Sequence, residues 1–426
     1  MPDLSAQFLP RLTAPRFPEL SLADEFVYPD YAGYSLLNLP ETICAWLGVH
    51  GLGGTPLAGE ILEPLGTGIR RVILFLLDGL GFDLFCRCLD DDSGLIWNRL
   101  LPDAIFSPLT SVVPSTTASA LTTLWTGKAP GAHGIVGYEL WLKEFGVVAN
   151  MIQQGVMAYG ADPDGLKRAG FRPEAFLGLP TLGAHLQQAG VRSKAYISHS
   201  LARSGLSAMH FPGVEVFGYR GTADLILSLA QHLEAGGAEP ELDYVYWETL
   251  DTLSHLYGPW DPRVRVELEV FSGVFANELL PKLQRRGSGG TLVLVTADHG
   301  LIHTPRNTDL ELRNHPDLAR MLHLLPSGEH RFAYLFIRPG REAEVANLVE
   351  RKWPGKFCLV SAEKALAAGL FGPGNSPISG ERTGDQILIA RGDAYLWWSP
   401  KENPMLGRHG GLSREEMLVP FFAYRV

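Results

Sequence analysis

Six side chains scattered over most of the sequence have the chemistry of metal ligands: Asp78, Asp251, His255, Asp298, His299 and His409. Carboxylate oxygen and imidazole nitrogen together suit Zn²⁺, with Mn²⁺ the main competitor. Asp251 and His255 stand at i, i+4 in DTLSHLYG, so on a helix they share one face and can reach one ion. Asp298 and His299 put two ligand types side by side after the apolar run TLVLVT, Asp78 follows the run VILFLL, and His409 lies in the turn GRHGG. Taken singly, each is commonplace: an Asp after a strand is often a turn or helix cap, and a D-x-x-x-H pair is frequent on solvated helices. The joint pattern carries the argument.

A hydroxyl nucleophile accompanies them. Pro114, Ser115, Thr116 and Thr117 precede a stretch of good helix composition, 118–125, which Gly127 can end. Thr117 then sits near a helix N-terminus, where free backbone N–H groups favour a bound phosphate. Metal coordination lowers the pKa of a hydroxyl and makes it a usable nucleophile at neutral pH. Without a metal cluster, capping the helix would be the plainer role for these hydroxyls. Phosphate-ester chemistry is the reaction class that the set serves best.

Something must bring these groups together. From Arg71 onward, short and nearly continuous apolar runs at 72–77, 195–198, 244–247 and 291–296 suit strands buried on both faces. Helical stretches separate them, which predicts an α/β fold with a mostly parallel central sheet between helices. Such sheets bind ligands beyond the carboxyl ends of their strands, where Asp78 and the Asp298-His299 pair fall. One helix is predicted to open on Asp261 with Pro262 in its first turn, to bend or restart at Pro281 and to stop near Gly287. Another short helix is predicted to open at Pro40.

The segment 304–384 has a different character, with a strand candidate at 332–337, an amphipathic helix at 341–353 and a loop-rich remainder. It is expected to be a small inserted α+β cap on a core built from 1–303 and 385–426; the alternative is an ordinary continuation of the sheet. The runs QILIA and MLVPFFAY, on either side of His409, are expected to return to the main sheet.

Composition narrows the partners. With 46% hydrophobic residues in a chain of 426, a sizeable core is available. A formal charge of −10 argues against stable nucleic-acid binding, which needs clustered Lys and Arg. It leaves a small anionic substrate open, because bound cations reverse the local sign. Four cysteines in so long a chain are no disulfide framework. No secretory signal pattern and no apolar run of about 20 residues is evident, so a soluble, cytoplasmic protein without membrane attachment is expected.

The ordered motifs also resemble a known family. A strand followed by Asp78, then PSTTASALTTLWTG with a following P-x-x-H-G-I, then D-x-x-x-H-x-x-G, A-D-H-G and a late His-Gly are similar to the type I phosphodiesterase/nucleotide pyrophosphatase family of the alkaline phosphatase superfamily. The resemblance spans roughly residues 70 to 425 and implies an alkaline-phosphatase-like α/β sandwich with two zinc ions. It implies hydrolysis of phosphodiester or pyrophosphate bonds in a small phosphate ester or nucleotide, through a phosphothreonine. Carried over by motif, Thr117 is the nucleophile. Asp251, His255 and His409 hold one ion; Asp78, Asp298 and His299 hold the other, with Thr117 Oγ1 as a further ligand. His133 is expected to have a structural hydrogen-bonding role, and His303 to stand at most behind the ligands. Tyr138 stands where many members carry an Asn that donates to the phosphoryl oxygen, and is the candidate substrate-binding residue. A phosphomonoesterase with the same site and a catalytically silent metal-binding member are the alternatives. The oligomeric state is not fixed by these features.

Overall fold

The computed structural model describes residues 3–92, 94–163, 165–235, 237, 239–285 and 290–426. Its centre is a seven-stranded sheet in the spatial order Ala104–Thr110, Leu418–Arg425, Thr291–Thr296, Arg71–Leu77, Glu241–Trp247, Arg192–Ser198, Glu215–Tyr219. Arg71–Leu77 pairs in parallel with both of its neighbours, and Arg192–Ser198 does the same. Leu418–Arg425 alone runs against the strands on its two sides. Every residue of Arg71–Leu77 and of Glu241–Trp247 is buried, as the apolar runs at 72–77 and 244–247 suit strands covered on both faces. The sheet is mostly parallel and flanked by helices, as expected.

Alternation along the strands sends neighbours to opposite faces. Phe75 meets Phe271 and Phe275 at ring separations of 5.9 and 5.7 Å. On the opposite face Tyr244 meets Trp125, 5.1 Å away. Trp125 thereby pins the Thr117–Thr126 helix to the sheet, and burying such a ring contributes about 2–3 kcal/mol.

Asp261 caps the Pro262–Val274 helix through Arg263 N, with Pro262 in the first turn. A π-helical turn, Phe275–Leu279, then precedes Leu280–Arg285. Pro281 has no N–H to offer and crowds the carbonyl four residues back, and the wider turn absorbs that conflict. The expected stop near Gly287 lies outside the described residues. The short helix at Pro40 forms as Leu39–Trp46. The N-terminal segment lies along the edge strand Ala104–Thr110: Leu4 N donates to Phe106 O, and Asp30 N to Thr110 Oγ1. An exposed edge is thereby closed.

A second, antiparallel sheet has the order Phe357–Ser361, Gln386–Ala390, Phe332–Leu335, Ser327–Glu329, Glu139–Leu142, Val147–Asn150. QILIA therefore joins this sheet and does not return to the main one, whereas MLVPFFAY does return. The correction has a physical reason. Ile387 and Ile389 face the main core while Leu388 and Ala390 face a separate cluster around Val345, Trp353 and Trp397. A strand buried on both faces has the same sequence pattern in either sheet. Among the described residues, no helix is long and apolar enough to cross a membrane.

Candidate active site

Register places three segments that bear candidate ligands at one rim. Leu77 pairs with Trp247 and Leu76 with Thr296, so the residues that follow these strands emerge side by side. Asp78 N donates to Trp247 O at 3.0 Å. Gly79 turns the chain with φ at 75°, and a Cβ there would lie 2.7 Å from Leu301 Cδ1 and 3.0 Å from Asp251 Cα. No other residue meets both demands. Its N–H donates to Asp298 Oδ1 at 3.2 Å. The Thr249–Tyr257 helix presents Asp251 and His255 on one face. Ser115 Oγ donates to Gly411 O at 2.8 Å and His409 Nδ1 to Ser115 O at 3.2 Å, which ties the His409 loop to the segment leading into Thr117.

The structure brings all seven side chains together. Thr117 opens the Thr117–Thr126 helix, and its Oγ1 lies 3.1 Å from His299 Nε2. His299 Nε2 is 3.6 Å from Asp78 Oδ1 and 3.4 Å from Asp298 Oδ2. Asp251 Oδ1 is 3.3 Å from His255 Nε2 and 3.9 Å from His409 Nε2. The His299 and His409 rings stack with centroids 3.8 Å apart.

Among the described residues two groups are compact enough to hold an ion, Asp251 with His255 and His409, and Asp78 with Asp251 and His299; within each group the ligand atoms lie within 4.8 Å of one another. Asp251 stands between them. Each imidazole bonds a backbone carbonyl through Nδ1: His255 to Gly407, His299 to Gly300, His409 to Ser115. A carbonyl only accepts, so Nδ1 carries the proton and Nε2 is turned toward the carboxylates. Asp78 Oδ1, Asp251 Oδ1 and Asp298 Oδ2 are buried without a hydrogen-bond partner. Buried acceptors facing ring nitrogens with no proton between them fit divalent cations and little else.

Burial, then the Asp298 and Asp251 carboxylates, push Asp78 well above the ordinary carboxylate range, while the Tyr246 hydroxyl pulls the other way. Burial, followed by the His299 and His255 rings, holds His409 well below the usual imidazole value. Tyr246 donates to Asp78 Oδ2; it was hidden in an apolar strand, where only its position two residues from Tyr244 marks a shared face. Tyr246→Phe is expected to weaken metal affinity or turnover about 10–100-fold, as loss of a ligand's supporting hydrogen bond does. Metal titration of the two proteins checks this, and equal affinity together with equal turnover would contradict it.

The site opens into a cleft of about 380 Å³ to which Tyr138, Glu329, His330, Trp397 and Arg408 contribute. Tyr138 N donates to Glu329 Oε1 at 2.8 Å. Burial raises Glu329 to about 8 and Glu139 to about 7. These acidic and cationic residues of the cleft were not singled out in the sequence, because only burial separates them from solvated charges. His133 is structural as expected, its Nε2 3.0 Å from Thr123 Oγ1 and its Nδ1 accepting from Ile135 N. His303 is exposed in a two-stranded pairing with Gly407 and does not line the cleft.

A mostly parallel α/β sheet thus gathers Asp, His and Thr side chains at its carboxyl rim, an arrangement able to hold divalent cations beside a hydroxyl. The chain belongs to the type I phosphodiesterase/nucleotide pyrophosphatase family, whose model matches residues 72–412. Among solved structures it is similar to murine ectonucleotide pyrophosphatase/phosphodiesterase 5, with a TM-score of 0.62 and 18% identity over 83% of this chain and 87% of that one. An inactive threonine-to-alanine variant of that mouse protein, in complex with AMP, matches with a TM-score of 0.62 and 17% identity over 83% and 88% of the two chains. Phosphonoacetate hydrolase from Sinorhizobium meliloti 1021, in complex with phosphonoformate, matches with a TM-score of 0.61 and 19% identity over 84% and 91%. A search of curated protein sequences found no match.

Proposed function

We propose that this protein hydrolyses phosphodiester or nucleotide pyrophosphate bonds through a phosphothreonine on Thr117. In this reading Asp251, His255 and His409 serve one divalent ion, and Asp78, Asp298 and His299 another. The observation that carries the proposal is the cluster of buried, unpartnered carboxylate oxygens facing imidazole Nε2 atoms, with Thr117 Oγ1 3.1 Å from one of them, His299 Nε2. The donor set suits Zn²⁺, with Mn²⁺ second. When bound, such cations lower the pKa of a nearby hydroxyl and offset charge on phosphoryl oxygens.

The protein's own groups do the rest. Thr117 Oγ1 attacks phosphorus in line and expels the alcohol or nucleotide, leaving phosphothreonine. Water then attacks from the vacated side, and two inversions give net retention. The free N–H groups of the first turn of the Thr117–Thr126 helix stabilise the equatorial oxygens. Tyr138, which lines the cleft, donates to the substrate in place of an Asn. Glu329 and His330 line the same cleft, which supports reading the segment 304–384 as its cap. The AMP held by the mouse variant supports a nucleotide-sized ester. Free thiols on all four cysteines are in keeping with a reducing cytoplasm.

Three ligand carboxylates and a threonine alkoxide balance two dications, so the site suits a monoanionic diester better than a dianionic monoester. Bis-p-nitrophenyl phosphate is expected to exceed p-nitrophenyl phosphate in kcat/KM by about tenfold or more, a difference of ~1.4 kcal/mol. Both rates are measured on one preparation. A faster monoester would establish the phosphomonoesterase reading instead, and metal binding without turnover of any ester would establish a silent member.

A further inference from the structure

Arg331 and Arg408 are both fully buried, at 0% and 1% exposure, yet they are treated differently. Arg331 forms a two-pronged pair with Glu416, Nε to Oε1 at 2.7 Å and Nη2 to Oε2 at 2.9 Å. Arg408 makes no ion pair among the described residues. Its Nη1 donates to Thr304 Oγ1 at 2.6 Å and more weakly to Met405 O at 3.3 Å, and its Nη2 donates to Asn403 Oδ1 at 2.5 Å. Its guanidinium lies 3.7 Å from the centre of the Tyr395 ring. These neutral partners fix its plane and leave its charge uncompensated, a costly state for a buried cation.

Arg408 lines the same cleft as Thr116 and Thr117, and among the described residues it is the single Lys or Arg in that lining. Its Nε is buried without a partner. His330, stacked on Trp397 with ring centres 4.5 Å apart, also lines the cleft and also has a buried, unpartnered Nε2. The neighbouring carboxyl groups are engaged elsewhere: Glu329 Oε1 takes Tyr138 N–H, and Glu139 Oε2 takes Trp398 Nε1–H.

We propose that the Arg408–His330 corner of the cleft is a subsite for a second anionic group on the substrate, a carboxylate or a phosphate separate from the scissile phosphodiester. An acceptor there completes Arg408 Nε–H and supplies the countercharge that the protein omits. The proposal rests on the reading of this cleft as the hydrolytic site, and it narrows the substrate class to diesters bearing an additional anion.

The test uses phenyl aryl phosphates whose para substituent is carboxamide, carboxylate or phosphonate, with the full-length metal-loaded protein. Wild type is expected to prefer an anionic arm over the carboxamide by roughly 10- to 100-fold in kcat/KM, the range of a charge-assisted hydrogen bond. The better anionic arm identifies the source, carboxylate or phosphate. Arg408→Gln should bring that ratio close to one, and Arg408→Lys, which keeps the charge, should retain part of it. Absence of any anionic preference in wild type overturns the proposal whether or not the Gln variant folds. So does an Arg408→Gln variant that slows all three esters equally, which would put the guanidinium on the scissile phosphate. Calorimetric binding of 4-carboxyphenyl and 4-carbamoylphenyl phosphate separates the two ideas. Discrimination in binding without turnover of any diester keeps the subsite and rejects the hydrolytic reading; turnover without discrimination does the reverse.

Discussion

Thr117→Ala is expected to lower kcat on bis-p-nitrophenyl phosphate by about 10⁴-fold or more, ~5.4 kcal/mol of transition-state stabilisation. The size follows from what is removed. Thr117 is 6% exposed and its Oγ1 lies 3.1 Å from His299 Nε2, so in the proposed mechanism deleting the hydroxyl takes away the reacting atom and leaves the Asp and His set intact. Residual rate would come from positioning and charge alone, as it does when a nucleophile is deleted from other hydrolases. The fold should survive, because Trp125 against Tyr244 holds the helix in place. Thr117→Ser keeps a hydroxyl and should retain measurable turnover. Acid quenching during turnover should yield phosphothreonine on the peptide containing residue 117 in wild type and none in the alanine variant. Full activity in Thr117→Ala would refute the assignment.

If the proposed ions are bound, removing them is expected to have a second large consequence, this time on stability as well as rate. Chelation should reduce turnover to background. It should also expose the cost of the buried carboxylates. Asp78 has its folded-state pKa raised well above 3.8 by burial and by Asp298 and Asp251. A raised value means that the folded state holds its proton more tightly than the unfolded chain does. The metal-free protein therefore keeps the full contribution of Asp78 below the ordinary carboxylate range and loses it progressively as pH rises through the raised value. Bound cations favour the ionised carboxylates and remove this loss. The expected result is a metal-induced increase in Tm that grows from acid toward neutral and alkaline pH. At a free-metal concentration of about 100 times Kd, binding alone adds ~2.7 kcal/mol. A Tm difference independent of pH, or larger in acid, would contradict this electrostatic reading.

Much of this arrangement was legible in the residues because its parts are local. Asp78 and the Asp298-His299 pair follow runs that read as strands buried on both faces, and parallel strands deliver such residues to one rim. Asp251 and His255 were readable from helical spacing, and Thr117 from the composition of the helix behind it. What was hidden depends on burial or on distant partners. Tyr246 is one more bulky residue in a β-rich run until its hydroxyl is seen on Asp78. Arg408 reads as a polar turn residue beside His409, and only tertiary packing closes it off from solvent. QILIA was assigned to the wrong sheet because alternation specifies which residues face a core and not which core it is. The π-helical turn ahead of Pro281 escaped for a related reason: Pro announces a conflict, but the backbone chooses where to relieve it.

The most direct measurement is anomalous diffraction from crystals of protein that is active as isolated, combined with its elemental analysis. The expected result is two divalent ions beside Thr117, one bounded by Asp251, His255 and His409 and the other by Asp78, Asp298 and His299. Undiminished phosphodiester turnover by protein with no divalent ion at those side chains would contradict it.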